Sequence, residues 1–332
     1  MTLPGYNAEI STLYFGGGTP SLLAPEELGQ LMEAIQAAAV LAPDLECTLE
    51  ANPDDISPAQ LLAWKSIGIN RLSLGIQSFR DEDLQWMNRA HSGQQAREAL
   101  NMIREAGFHN ISADLIYGTP GLSDEAWQEQ VNTLLAFGVP HISAYALTVE
   151  PRTALDLMIR QGKRADVEPD QQAGQFLLLA DLLETAGYDH YEISNFALPG
   201  MRSRHNSSYW RGIPYIGIGP SAHSYDGQGR RWNVANNAAY IRALQEGRIP
   251  YTEEILSAVQ RFNEYVMTAL RTSEGLDLQM LEQEWGQEAL SAVMRVAKPY
   301  QQQQYLILEG QYLRLSREGK LFADGIAAAM FR

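Results

Sequence analysis

Short strand-like runs and longer amphipathic stretches alternate along the first 150 residues of the chain. The runs are apolar or alternating, and each ends at Gly, Pro or a polar residue, as strands commonly do. They cover residues 13–15, 45–51, 71–76, 109–117 and 141–147. Most stretches between them start with Pro or Ser and carry apolar residues at helical spacing, which predicts helices. This repeated strand–helix order predicts an α/β protein with a partial (β/α) barrel of the TIM type.

The remainder of the chain has a different pattern. A helix at 170–186 and a sixth strand at 188–193 are predicted first, and residues 195–229 are predicted to form long ordered loops. Beyond a change in composition at 247–250, helices at 257–272, 276–285 and 287–302, a hairpin of 305–308 with 312–315 and a final helix follow. This order predicts a small C-terminal winged-helix-like α+β domain. We predict domain limits of 1–235 and 250–332.

Composition and charge narrow the class of protein. The chain has 332 residues, 45% of them hydrophobic, and no apolar run of membrane-spanning length or secretory leader, so we expect a cytoplasmic protein. A net charge of -15 argues against a nucleic-acid partner and favours a packing or lid role for the winged unit. The single cysteine, Cys47, excludes an internal disulfide and is predicted to be a small core residue.

A glycine triplet at residues 16–18 ends the first predicted strand and is followed by Thr19 and Pro20. Ligands of parallel α/β proteins lie at the carboxyl ends of strands, where such a turn lets the backbone contact them. A tight turn without any ligand is an equal alternative for this motif taken alone.

Polar residues stand at or just beyond the ends of four successive strands. They are Thr19, Glu50, Gln77 and Asp114. Each alone is explained as a turn or cap residue, but together they predict one cleft, with Arg89 as the countercharge to a ligand carboxylate. A zwitterionic amino acid carrying a ribose satisfies all five. Motifs for a phosphate loop, a nucleophile elbow, a zinc protease or a dinucleotide fold are absent from the sequence. A barrel enzyme or binding module for an anionic small ligand stays an alternative.

Six motifs in this order resemble the radical SAM coproporphyrinogen III oxidase-like family over nearly the whole chain. They are YFGGGTPS at 14–21, EANP at 50–53, RLSLGIQSF at 71–79, DLIYGTPG at 114–121, HNSSYW at 205–210 and GIGPSAH at 217–223. The last two are similar to its heme-chaperone branch. The alternative within the family is an oxygen-independent coproporphyrinogen III oxidase of porphyrin biosynthesis.

The resemblance implies a radical SAM barrel that binds S-adenosylmethionine beside a 4Fe-4S cluster. By the family pattern, Gly17, Gly18 and Thr19 hold the methionyl amino end. Glu50, Gln77, Arg89 and Asp114 complete the pocket around carboxylate and ribose. The chaperone branch also implies heme as a ligand and heme-accepting proteins as partners, with peripheral membrane contact through an acceptor.

The chain departs from the family at the cluster. Family members carry C-x-x-x-C-x-x-C ahead of the glycine motif, whereas Cys47 is the only cysteine here. Three thiolates are needed, so we expect no cluster ligands in this chain and no cluster-dependent activity. A truncated chain or misplaced start, lacking the first strand and helix, is favoured over a decayed gene product or a cluster-free heme binder.

Two of the six histidines, His205 and His223, lie in the aromatic and glycine-rich segment. An imidazole there could ligate a heme iron, and a structural hydrogen bond is the alternative. The resemblance favours His205 as the heme ligand.

Overall fold

The computed structural model describes residues 9–332. It divides into two compact units, Met1–His205 and Asn206–Arg332. The predicted domain limits, 1–235 and 250–332, stay a prediction. Within the described residues, no helix is long and apolar enough to cross a membrane.

Seven strands form one open, curved sheet in the first unit. They are β1 (Ile10–Phe15), β2 (Leu41–Ala51), β3 (Arg71–Gln77), β4 (Asn110–Tyr117), β5 (His141–Ala146), β6 (Asp189–Glu192) and β7 (Asn195–Ala197). Their order is β1-β2-β3-β4-β5-β7-β6, and β1 to β5 pair in parallel. This order confirms the predicted partial barrel.

Helices connect the strands as the sequence pattern predicts. They are α1 (Pro25–Ala38), α2 (Pro58–Ile67), α3 (Asp81–Trp86), α4 (Gly93–Glu105), α5 (Asp124–Phe137), α6 (Ala154–Arg160) and α7 (Pro169–Thr185). The sequence did not predict α3 and α6, because six or seven residues are too few to show a helical period. The side chains of Ser57, Ser92 and Ser123 cap α2, α4 and α5.

The two faces of the sheet differ sharply in polarity, because alternate strand residues point to opposite sides. One face is apolar and largely buried, and Trp127 of α5 packs on it against Tyr117 of β4 with ring centroids 5.6 Å apart. The other face is polar. It carries Thr12, Tyr14, Glu46, Thr48, Glu50, Arg71, Ser73, Ser112, Asp114, His141 and Ser143. An apolar core lies on one side of the sheet, and most of the polar side chains on the other side are also buried.

One prediction for the middle of the chain is wrong. Residues 195–229 are not only loops, since they contain β7, α8 (Arg204–Trp210) and β8 (His223–Tyr225). The predicted sixth strand is β6, but β7 lies between it and β5 and is antiparallel to both. Strands of three or four residues leave no readable alternation, and their pairing is decided by the rest of the sheet.

The second unit begins with a small antiparallel sheet of order β10-β9-β8, formed with β9 (Gly229–Asn233) and β10 (Tyr251–Ile255). Helix α9 (Asn237–Gln245) connects β9 to β10. Ion pairs join the two strands, such as Arg231 Nε to Glu253 Oε2 at 3.2 Å.

The C-terminal part has the element order of a winged helix. Its elements are α10 (Ala258–Arg271), β11 (Leu276–Asp277), α11 (Leu278–Gln302), β12 (Leu306–Glu309), β13 (Tyr312–Leu315) and α12 (Ala323–Ala329). Gly286, with φ 83° and ψ 168°, interrupts α11 where the sequence predicts two separate helices. The predicted hairpin gains a third strand, in the order β11-β13-β12. The predicted α+β unit is therefore confirmed.

Candidate functional site

The glycine turn leaves β1 with two consecutive residues in the left-handed region. Gly17 has φ 82° and Gly18 has φ 68°, and an ideal Cβ on either would meet nothing within 4 Å. Backbone conformation therefore requires glycine there. At Gly16 a Cβ would lie 2.6 Å from the Tyr14 ring, so the reason at that position is a close approach. Half-buried Thr19 follows, and its carbonyl accepts the N–H of Leu22 at 3.1 Å.

Glu50, at the end of β2, is held against this turn. Its Oε1 accepts the Tyr14 hydroxyl at 2.7 Å, and its Oε2 accepts the Gly17 N–H at 3.1 Å. Burial first, and then the Glu50 charge, raise the pKa of Tyr14, so its hydroxyl stays protonated and donates. The predicted neighbourhood of Gly17 and Glu50 is present, with a carboxylate fixed beside exposed main chain.

Asp114 lies on the same polar face, two strands from Glu50, directly opposite Ser143 of β5. Burial raises the pKa of Asp114 to about 6, although the Ser143 hydrogen bond and the Arg71 charge both lower it. Glu50 and Arg89 also act on this carboxyl. Four charged or polar neighbours thus influence the pKa of Asp114, and Asp114 shares one electrostatic environment with Glu50 and Arg89.

Gln77 ends β3 in an unusual conformation. Its φ is 65°, and the N–H of Ser78 donates to the carbonyl of Ile76 at 2.7 Å, which closes a three-residue turn around it. The side chain is buried, and an ideal Cβ on Gly75 would lie 2.9 Å from Gln77 Nε2. Arg89 is exposed, in the segment between α3 and α4.

Sequence reasoning missed two residues of this face, Tyr14 and Arg71. Arg71 is 1% exposed, and its Nε and Nη2 have no hydrogen-bond partner. Its charge acts on Tyr14, Asp114 and His205. Arg71 stands on the same side of β3 as Ser73, and this alternation was the signal that could have identified it.

The two candidate heme ligands have different environments. His205 is half-buried, stacks on the Tyr14 ring at 4.8 Å, and places Nδ1 2.9 Å from Thr12 Oγ1. Burial lowers the pKa of His205 more than the Glu46 carboxylate raises it, so the ring is neutral near pH 7. His223 of the second unit is exposed and stacks on Trp232 at 6.2 Å.

The residues of this chain do not fit a 4Fe-4S cluster. Cys47 is fully buried in β2, on the apolar face of the sheet, and burial raises its pKa to about 12. Such a thiol is a core side chain and a poor ligand. Between residues 9 and 332, no group of three His, Cys, Asp or Glu side chains could hold a metal ion.

The sequence profile of the radical SAM superfamily matches residues 5–134, which include β1 to β4 and the glycine turn. The profile of the HemN C-terminal domain matches residues 256–322.

Curated relatives narrow the assignment. The chain is 33% identical to the heme chaperone HemW of Bacillus subtilis over 97% of this chain and 85% of that protein. It is 37% identical to HemW of Mycobacterium tuberculosis over 97% of this chain and 80% of that protein. The chain belongs to the HemW family. In fold it is similar to coproporphyrinogen III oxidase HemN of Escherichia coli, with a TM-score of 0.82, 22% identity, and coverage of 97% of this chain and 78% of that one.

Proposed function

We propose that this protein binds S-adenosylmethionine at the glycine turn and binds heme, which it passes to acceptor proteins. The observation that carries the proposal is the carboxylate of Glu50, fixed by Tyr14 and Gly17 beside two left-handed glycines. The Glu50 carboxylate and the main-chain carbonyls of the glycine turn can accept the N–H groups of a ligand ammonium, such as that of an amino acid. Several proteins at this level of identity are named heme chaperones.

Each part of the ligand has a chemical counterpart on the polar face, in the glycine turn or in the segment between α3 and α4. The main chain of Gly17 and Gly18 and the Glu50 carboxylate suit the ammonium group. Asp114 suits the ribose hydroxyls, because a carboxylate accepts two hydrogen bonds. Arg89 suits the ligand carboxylate, since a guanidinium pairs with it bidentately. With three cysteine thiolates supplied, a cluster would provide the electron for reductive chemistry, and no step of it is assigned to the residues of this chain.

The geometry of His205 supports a role as heme ligand. When Nδ1 donates to Thr12 Oγ1, the lone pair lies on Nε2, which is the usual arrangement of a metal-bound imidazole. The lowered pKa keeps the ring neutral, as ligation requires. His223 is the second candidate.

A heme titration tests this assignment. The unmodified protein should give a Soret band, and His205→Ala should shift the band and weaken binding, because an axial ligand is lost. His109→Ala is the control, because His109 is exposed, lies just before β4 and has no part in the proposal, and it should leave the spectrum unchanged. A shifted band in His223→Ala with an unchanged one in His205→Ala would assign ligation to His223 instead. An unchanged band and affinity in His205→Ala would contradict ligation by His205.

Calorimetry with S-adenosylmethionine tests the other proposed ligand. Tight binding of a phosphate ester, with no binding of S-adenosylmethionine, would contradict the pocket assignment.

The affinity for S-adenosylmethionine should depend on pH through Asp114. The carboxyl has a pKa of about 6 and accepts ribose hydroxyls best when ionised, so binding should weaken as the pH falls below 6. With a single titrating group, the dissociation constant at pH 5 should be about tenfold that at pH 7. Calorimetry from pH 5 to 7 measures this, and Asp114→Asn should flatten the profile. A profile that keeps its slope in Asp114→Asn would rule out Asp114 as the titrating group.

The proposal also covers the heme-accepting proteins and the compartment in which heme is delivered. We place heme delivery in the cytoplasm, with membrane contact only through an acceptor protein. The oxidase alternative has weaker support, because relatives at 33% and 37% identity from Bacillus subtilis and Mycobacterium tuberculosis are named heme chaperones, and the likeness to HemN, at 22% identity, concerns the fold. Turnover of coproporphyrinogen by this protein together with a cluster-bearing segment would reverse this preference.

A further inference from the structure

His91 is a buried imidazole close to the candidate pocket, and no role described above involves it. It lies just before α4 and is 4% exposed. Its Nε2 is 2.9 Å from the carbonyl oxygen of Ile76. A carbonyl only accepts, so Nε2 carries a proton and donates to it. His91 is therefore bonded to the main chain that shapes the end of β3.

The bonded carbonyl is also the acceptor of the turn at Gln77. The Ser78 N–H donates to Ile76 O at 2.7 Å, and Gln77 between them has φ 65°. A residue other than glycine in this region is strained and keeps its conformation only when surrounding contacts enforce it. The imidazole of His91 is such a contact, since it holds the acceptor of the turn from the buried side.

The ring of His91 also lies beside the segment that follows Glu50 in the chain. Its Nδ1 is 3.8 Å from Asp54 Oδ1, four residues after Glu50, which is beyond hydrogen-bond distance. Arg89 lies two residues before His91 in the chain. Its main-chain N–H donates to the carbonyl of Leu84 at 2.8 Å. Gly93 brings this segment against the β3 end, because a Cβ there would lie 2.1 Å from Phe79 O.

We propose that His91 is a positioning residue for the S-adenosylmethionine pocket. One buried side chain joins the end of β3, which carries Gln77, to the segment that carries Arg89, and it lies beside the residues that follow Glu50. It orients these groups without contacting the ligand. This inference rests on the proposed binding of S-adenosylmethionine. Hydrogen bonds weaken steeply when their geometry is distorted, so the position of these segments bears directly on affinity.

The test compares two substitutions at His91 with one at a second buried histidine. His91→Leu removes the donor at similar size, and His91→Gln keeps an N–H within reach of Ile76 O. His190→Leu is the matched control. His190 is also buried, on the edge strand β6, and its Nε2 lies 2.9 Å from the carbonyl oxygen of Ile193. Calorimetry with S-adenosylmethionine, thermal melting and amide hydrogen exchange at Ser78 are measured for each variant.

Weakening of about tenfold in His91→Leu, with near-normal binding in His91→Gln and His190→Leu, is the expected result. Faster exchange of the Ser78 amide in His91→Leu alone should accompany it. Normal affinity and exchange in a folded His91→Leu would overturn the inference. If His91→Leu does not fold, His91→Asn, whose amide is too short to reach Ile76, replaces it with the same expectations. Failure of the unmodified protein to bind S-adenosylmethionine would instead refute the proposed function, and the Ser78 exchange would still decide whether His91 holds the turn.

Discussion

Replacing Glu50 by Gln should weaken S-adenosylmethionine binding about thirtyfold. The carboxylate is fixed by the Tyr14 hydroxyl at 2.7 Å and the Gly17 N–H at 3.1 Å, so its charge stands ready for the ligand ammonium group. A hydrogen bond to a charged group contributes about 2 kcal/mol, and each 1.4 kcal/mol is about a factor of ten in affinity. Gln keeps the shape of the side chain but loses the charge. Calorimetry at pH 7 measures the change.

Glu46→Gln is the control for this prediction. Glu46 lies on the same face of β2 and also accepts main-chain N–H groups, those of Arg204 at 3.0 Å and His205 at 2.9 Å. Its carboxylate holds the start of α8, away from the glycine turn. Glu46→Gln should therefore change S-adenosylmethionine affinity by less than about twofold, because it removes no group of the proposed pocket. Equal affinities for Glu50→Gln and the unmodified protein would show that Glu50 does not contact the ligand.

Replacing Trp127 by Ala should lower the free energy of unfolding by about 4 kcal/mol, in the range of large-to-small changes of buried aromatic residues. Trp127 is 0% exposed, contacts Tyr117, and donates its indole N–H to Gln175 O at 3.0 Å. The substitution leaves a cavity between the sheet and its helices and removes this hydrogen bond. Urea unfolding followed by circular dichroism measures the change.

A second pair of variants separates the hydrogen bond from the cavity. Trp64 of α2 is also 0% exposed, but its indole N–H has no hydrogen-bond partner. Trp→Phe at 64 removes an unpaired buried donor, whereas Trp→Phe at 127 removes one that is paired. Trp127→Phe should therefore be the more destabilising of the two. A larger loss of unfolding free energy in Trp64→Phe than in Trp127→Phe would contradict the importance of the hydrogen bond to Gln175.

Much of the first unit could be predicted because its signals are local. The helix from Pro25 to Ala38 begins at a proline with Glu26 and Glu27 in its first turn, as predicted. The helix from Pro58 ends at Gly68, whose φ of 103° only glycine adopts easily. Elements of this kind are encoded within about ten consecutive residues, and the sequence pattern shows them without tertiary information.

The candidate site was only partly predictable. Glu50 and Asp114 were selected because they were expected at the ends of parallel strands, which lie at one edge of a sheet. Glu50 is one residue from the end of β2, whereas Asp114 lies inside β4, three residues before Tyr117. The Tyr14 hydroxyl, the buried charge of Arg71 and the His91 imidazole were not selected. Each lies at a position where the sequence pattern permits a core residue, and only the neighbours from other strands reveal its partners.

The sequence by itself determined the strand–helix order, the glycine turn and the winged-helix order of the C-terminal part, because periodicity and turn residues act over short stretches of chain. Only the tertiary structure decided that β7 lies between β5 and β6, that Gln77 closes a left-handed turn, and that His91 anchors it. These features join residues far apart in the chain. They depend on strand pairing and on which side chains become buried together, and both are properties of the folded sheet as a whole.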